Sequence, residues 1–314
     1  MRIATDSYTD LMLNQFSTLK AEGDQLQNEV STGLSVQAPS DNPAAMQDTL
    51  NELSEQAAQT QYSANITTLQ SRATLAGNAM QSLQSLASQA SAIATSASSG
   101  TASSSGLDND ATEVQQLIQQ ALQLANSQDS DGQYLFGGTA SSQPPYVATT
   151  DANGNITGVT YQGNSSVNQV EIASGSTASV DVPGSNTSGS GARGLITDST
   201  SGADLFNHLI SLYNDLTSGD TSAVSTTDSA NLQKDDNNLI YQVANNGAVQ
   251  SRLDTASNYA STQSLADNQQ ISNSSSADLV QTMVQLSQAQ TAYQAALQSS
   301  AQIMQLSILD FLPT

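Results

Sequence analysis

The side chains that could do chemistry are few and poorly grouped. His208 is the single histidine and cysteine is absent. A His/Cys metal centre therefore has no donor set, and a nucleophile–base pair would have to rest on one imidazole. That imidazole sits in LFNHLISL, a helical pattern, where a packed or exposed helix position is the default. GSGARG (189–194) has the G-x-G-x-x-G spacing that lets a backbone approach a dinucleotide phosphate. Such a loop needs a strand just before it and a helix just after. Pro183 and a Ser/Gly run precede it instead, which reads as flexible loop. DSDG (129–132) offers the first oxygens of a calcium loop, but no third oxygen position or distal Glu follows in register. A turn accounts for it. NIT, NSS and NTS fit the glycosylation pattern, which recurs by chance in a chain rich in Ser and Asn. There is no G-x-S-x-G, no phosphate loop and no H-E-x-x-H. The expectation is a protein that is not an enzyme and carries no cofactor and no metal.

Charge narrows the partners. Six Lys and Arg stand against 28 Asp and Glu, a net charge of −22. A nucleic-acid binder needs a basic face, and an anionic membrane surface would repel this chain too, so neither is expected as a partner. Arg2, Arg72, Arg193 and Arg252 are scarce cations; Arg252 either pairs with a carboxylate or lies solvated on the surface. Aromatics are 4% of residues and Trp is absent. Ala, Ser, Gln, Asn and Thr suit thin helical bundles better than one thick core. No signal-peptide h-region follows Arg2 and no run of eighteen apolar residues occurs. The default reading is cytoplasmic, unless export uses a route that reads no cleaved signal.

The elements fall in three zones. In the first, Met12, Phe16, Leu19, Leu26 and Val30 step by 4 and 3 with Gly23 as a gap, a heptad seam. APSDNPAA (38–45) interrupts it, since Pro39 and Pro43 cannot continue a helix. Pro43 suits the first turn of a new helix with Asp41 or Asn42 as cap. That helix runs to about Ala97, roughly 80 Å at 1.5 Å per residue, on the seam Tyr62, Ile66, Leu69, Ala73, Ala76, Met80, Leu83, Ala87, Ala90, Ala94. A further helix spans about 110–128. The middle zone changes period: YVATT and ITGVTYQG flank DANGN, a hairpin signal. VNQVEIA and TASVDVP read as further strands, and PGSNTSGSGARG as loop. The third zone holds a helix ended by Gly219, a long helix over about 228–267, and a last segment carrying Leu279, Met283, Leu286, Tyr293, Leu297, Met304 and Phe311. Gln290 and Ser300 stand where this last heptad asks for apolar residues.

The expected fold is mainly α: a long helical bundle or coiled-coil rod made by the N- and C-terminal segments, with a small β-rich inserted domain. The expected domains are a terminal coiled coil (1–38 and 277–314), a helical bundle (39–138 and 203–276) and the insert (139–202). The last segment also raises a question of solvation. Residues 275–314 carry Asp278 and Asp310 but no Lys or Arg, with eight Gln from Gln281 to Gln305. A free surface helix normally carries Lys and Glu. One without them is buried in a larger bundle or on assembly. The seams Met12, Phe16, Leu19, Leu26, Val30 and Leu279, Met283, Leu286, Tyr293, Leu297, Met304, Phe311 are the expected assembly interface.

At four stretches the chain resembles the bacterial flagellin-like axial proteins. These are MRIATDSY at the start, QNEVSTGLSVQAPSDNPAAM (27–46), GQYLFGGT (132–139) and AYQAALQSSAQIMQLSILDFL near the end. PSDNP has one acidic residue where two are more usual. Within the family, PSDNP, YLFGG and LDFLPT look like the proteins of the hook–filament junction. GAVQSRLD (247–254) is shared with flagellins in general, so the filament subunit itself is the alternative. A binding module in the insert is a third reading, disfavoured by the insert's few charges and lack of His. The resemblance implies export unfolded through the flagellar type III apparatus with an export chaperone. It implies assembly with copies of itself, with hook-associated protein 1 on the hook side and flagellin on the filament side. It also implies terminal helices inside, long helices next, and an insert facing outward.

Overall fold

The computed structural model describes residues 2–99 and 103–309. The order is α1 (Arg2–Thr32), α2 (Pro43–Ala97), α3 (Ser104–Ala125), β1 (Tyr146–Thr150), β2 (Ile156–Tyr161), β3 (Val170–Ala173), β4 (Ser176–Ala178), β5 (Ser185–Asn186), β6 (Thr197–Asp198), β7 (Ala203–Asp204), α4 (Leu205–Ser218), α5 (Thr221–Ala223), a π-helical turn (Val224–Asp228), α6 (Ser229–Ser275) and α7 (Leu279–Leu309). The fold is mainly α with a small β region. Local chemistry sets the ends. Gly33 at φ 73° stops α1 where an L side chain would be strained. Asn42 Oδ1 accepts from Ala45 N at 3.2 Å and caps α2, with Pro43 at its first position. Gly219 at φ 74° closes α4, as its sequence suggests. α3 begins at Ser104, earlier than the apolar pattern indicates, because the Ser103 hydroxyl accepts from Gly106 N and caps it.

Contacts divide the chain into two units, Met1–Ala58 with Thr262–Thr314, and Gln59–Ser261. The cuts fall inside α2 and α6, further along the chain than the proline break at 38–45, and the residues of the insert belong with the second unit.

In the second unit the α2 seam is the spine. Ile66, Leu69, Ala73, Ala76, Met80, Leu83, Ala87, Ala90 and Ala94 are all buried. Around its second half, α3 (Val114, Leu117, Ala121) and α4 (Leu205, Leu209, Leu212, Leu216) complete one apolar cluster. The β segments close this cluster and do not build a core of their own. Tyr146, Ile156, Leu195 and Ile196 are buried in it, while Ile172 and Ala178 join Ile66, Leu69 and Leu253 in a second cluster. β1 and β2 form an antiparallel hairpin pairing Tyr146 with Tyr161, with a bulge at Thr149/Thr150. Its loop is the DANGN turn: Asp151 Oδ1 accepts from Asn153 N and Asn155 N, both at 2.8 Å, and Gly154 has φ 87°. Of TASVDVP only Thr177 and Ala178 are strand, the end of β4, which pairs with β3.

Side-chain amides then supply bonds that so small a sheet cannot. Gln115 of α3 donates to Ile156 O and accepts from Ile156 N, both at 3.1 Å. Asn126 does the same for Tyr146, at 2.9 and 3.0 Å. Along α6, Asn238, Gln242, Asn246 and Gln250 fall every four residues on one face. The first two donate to carbonyls of 193–195 and the last two to Ala73 O. A buried carbonyl without a donor would be costly, so these neutral amides account for much of the polar content of the fold.

The YLFGG stretch has a packing reason. Phe136 is fully buried, and its carbonyl accepts from Tyr161 Oη at 3.0 Å and Gly184 N at 2.8 Å. Gly138 has φ 64°, and a Cβ there would run into the Asn164 carbonyl.

Candidate assembly surfaces

The first unit pairs α1 with α7. On α1 the seam lies as read: Met12, Phe16, Leu19 and Val30 are half-buried and Leu26 is buried, with Gly23 between them. The facing seam on α7 is Thr282, Leu286, Ala289, Tyr293, Ala296 and Ser300, spaced 4 and 3 throughout. Phe16 and Tyr293 meet edge-on, ring centroids 6.1 Å apart at 78°. Leu286 and Tyr293 are therefore inner residues of the pair. Leu279, Met283 and Leu297 are not: they stand on the exposed side of α7 in this chain. Small and polar residues hold their places in the seam, and Ser300 lowers its own cost by donating its hydroxyl to Ala296 O at 2.8 Å. The Met304 side chain and Phe311 lie outside the described residues.

The pair leaves apolar surface in water. Leu11 and Leu13 of α1 are 63% and 60% exposed, and on α7 Val280 is 76% exposed and Val284 53%. Reading heptads alone misses these four, because they lie off the seam. Their signal is apolar residues on a helix face that the seam does not need. The charged side chains of the pair are all on α1, and α7 carries none over Leu279–Leu309. Lys20 and Asp24 bond across one turn at 2.9 Å, and that bond holds the Lys20 ammonium above its ordinary pKa.

STG and PSDNP, the stretches that carry the family resemblance, form a clip at the end of this unit. Beyond Gly33, Leu34 bridges Ser276 in antiparallel fashion. Ser35 N donates to Ser275 O at 2.7 Å, and Ala277 N to Gly33 O at 2.9 Å. The chain from α1 is thereby tied to the junction of α6 and α7. Asp41 then accepts from Gln37 N at 3.1 Å and Ala38 N at 2.9 Å. These backbone bonds hold the Asp41 carboxyl below its ordinary pKa. Asn42 is the helix cap, and Asp41 shapes the turn before it. An open apolar hollow beside the clip is lined by Leu34, Val36, Met46, Leu50, Leu53 and Ile271.

The residues with possible catalytic or binding chemistry are engaged elsewhere in the fold. GSGARG is loop, with β6 rather than a helix after it. Its Arg193 guanidinium sits 4.2 Å from the Tyr241 ring centroid. In DSDG, Asp129 Oδ1 accepts from Asp131 N and Gln133 N, and Oδ2 faces Arg72 at 3.8 Å. Arg72 also reaches Asp181 at 3.3 Å. Arg252 donates to Thr177 O at 2.7 Å, so it meets a carbonyl rather than a carboxylate. His208 Nδ1 lies 2.8 Å from the buried Asp235 carboxyl, which burial pushes up and His208 draws back. Asp235 also accepts from Asp204 N, so the pair ties α6 to the start of α4. Of the asparagines in the glycosylation pattern, Asn186 is buried and donates to Ser190 O and Ala192 O. No helix among the described residues is long and apolar enough to cross a membrane.

Residues 3–141 match the bacterial flagellin N-terminal helical region. The chain is 28% identical over 163 residues to flagellar hook-associated protein 3 of Salmonella typhimurium, covering 52% of this chain and 51% of that protein. It is 26% identical over 146 residues to flagellar hook-associated protein 3 of Escherichia coli, 46% of each. The matched part thus spans about half the length of these relatives. Among solved structures, a flagellar hook-associated protein from Vibrio parahaemolyticus superposes with a TM-score of 0.63 at 20% identity, over 75% of this chain and all of that one. The resemblance to the flagellin-like proteins drawn from the four motifs is the one these comparisons return.

Proposed function

We propose that this chain is a structural subunit of the bacterial flagellum, located at the hook–filament junction, on which flagellin polymerises. The observation that carries the reading is its similarity to two proteins named flagellar hook-associated protein 3. The exposed apolar faces of α1 and α7 support it: a helix pair that leaves Leu11, Leu13, Val280, Met283 and Val284 in water is suited to being covered by neighbours. Neighbouring copies cover these faces, and the Gln and Ser beside them bond between subunits without the desolvation cost of ions. No enzymatic step belongs to this reading.

Residues 1–38 and 277–314 form the inner layer, 39–138 and 203–276 the next, and 139–202 face outward. Met12, Phe16, Leu19, Leu26, Val30, Leu279, Met283, Leu286, Tyr293, Leu297, Met304 and Phe311 build the packed zone. Leu286 and Tyr293 hold the chain's own helix pair, and Leu279, Met283 and Leu297 meet other subunits. The partners are further copies, hook-associated protein 1, flagellin, and the chaperone and type III apparatus that export the chain to the outside of the cell without a cleaved signal.

Electron microscopy of isolated flagella with a labelled antibody tests the proposal. Label confined to a short zone between hook and filament is expected. Label along the whole filament would make the chain a flagellin instead.

A further inference from the structure

The π-helical turn at Val224–Asp228 places a carboxyl where the fold offers it only half a set of partners. Asp228 has no exposed surface. Its Oδ1 accepts from the Ser211 hydroxyl of α4 at 2.9 Å, and its Oδ2 is buried with no partner. π-helical turns are rare, occur mostly as single turns within α-helices and are frequent at functional sites. Ser229 helps hold the turn, donating its hydroxyl to Val224 O at 2.8 Å. The ionisable groups that face Asp228 are Asp215 and His208, both on α4. α5, Thr221–Ala223, has no ionisable side chain, and on α6 Asp235 is taken up by His208 and Asp204 N.

We propose that Asp228 is a pH-sensitive latch between the π-helical turn and α4: as an acid its Oδ2–H donates a hydrogen bond to the Asp215 carboxylate, and as a carboxylate it repels Asp215 and loosens the turn. A buried carboxylate with one hydroxyl donor and a second carboxylate nearby is poorly stabilised, whereas the acid form fills the empty hydrogen-bonding position. Burial is the main cause that moves Asp228 from the ordinary carboxylate range to about 6, and Asp215 adds to it. Because the folded value lies above the unfolded one, the latch is fully closed below about pH 4, and its contribution is lost as pH rises through about 6. Above that the corner of α4, α5 and the π turn opens more readily, while the amide-braced packing along α6 does not depend on this proton.

The test uses the full chain and two readouts. Carbon-13 NMR of the Asp carboxyls in the wild-type protein should show one carboxyl titrating near pH 6, absent from the Asp228→Asn spectrum. Hydrogen exchange, as protection factors over 211–232, should fall between pH 4 and pH 7.5 by up to about 100-fold more in wild type than in Asp228→Asn, the ceiling set by tenfold per pH unit across the gap between the two values. Because His208 also faces Asp228, its ring resonances are followed through the same pH range in both proteins, so that its own titration is separated from that of Asp228. An Asp228 carboxyl titrating below pH 4.5 would overturn the proposal, as would identical exchange profiles in the two proteins. Sequential assignment of the Asp228 carboxyl in wild type separates it from the Asp235 carboxyl, which burial also raises, so the titration decides the matter even if Asp228→Asn folds poorly.

Discussion

Gln115 and Ile156 are joined by two hydrogen bonds of 3.1 Å, the amide donating to Ile156 O and accepting from Ile156 N. One side chain of α3 thereby acts as the strand that would otherwise border β2. Both residues are buried, so no water can take over. Gln115→Leu leaves a buried N–H and a buried C=O unpaired, at about 1–3 kcal/mol each in general. The expected loss is about 2–4 kcal/mol in urea unfolding. Gln119→Leu, on the exposed side of the same helix, is expected to stay within about 0.5 kcal/mol.

Deleting the β segments is expected to damage the second unit. Seen as an outward module, residues 146–182 look removable, with export and assembly left intact. In the fold, Tyr146 and Ile156 belong to the main apolar cluster and Ile172 and Ala178 to the second. Their removal uncovers α2, α3 and α6 faces rich in Leu and Ile. The shortened chain is expected to melt lower and to bind a hydrophobic dye; a thermal scan with and without dye checks this.

The same case shows what could be read from residues alone. The α2 seam was legible because Ile, Leu, Met and Ala recur at 4 and 3 without interruption, and the β1–β2 hairpin because Asn153-Gly154 sits between β-prone runs. The α7 seam was not. Its positions are held by Thr282, Ala289, Ala296 and Ser300, while larger apolar residues such as Met283 and Leu297 point away. A pattern search follows size, and here the larger side chains are off the seam. The amide bonds of Gln115, Asn126, Asn238 and Gln242 join residues far apart in sequence, so composition announced many amides without their partners. The tie between Gly33–Ser35 and Ser275–Ala277 was hidden for the same reason, although STG and PSDNP had marked the place.

Arg72 joins two mostly buried carboxylates, Asp129 and Asp181. Arg72→Met removes the cation and leaves both carboxylates in place. The expected cost is about 3 kcal/mol, with Arg72→Lys intermediate because one ammonium cannot span both partners as a planar fork does. Denaturant unfolding of the two variants gives the order, and a milder effect from Met than from Lys would refute it.

The clip at PSDNP should respond to acid. The folded Asp41 carboxyl lies below its ordinary value. Its contribution is therefore present above the ordinary carboxylate range of about 4 and is lost as pH falls through the folded value. Amide resonances of Gln37 and Ala38 should move and lose exchange protection between pH 5 and pH 2.5. Asp41→Ala should show the acid-like state of these two amides already at pH 6.

Neighbouring subunits are expected to cover the exposed apolar side of α7. Met283→Asp tests it directly, because Met283 is 56% exposed in the single chain. Gln288→Asp, five residues on and about 140° round the helix, is the control with the same added charge. The measurement is incorporation into flagella in cells making only the variant, read beside the melting curve of the purified chain. The expected result for Met283→Asp is an unchanged melting curve, secreted protein, no incorporation, and flagellin shed into the medium, with Gln288→Asp milder. Normal flagella in the Met283→Asp cells would contradict the claim.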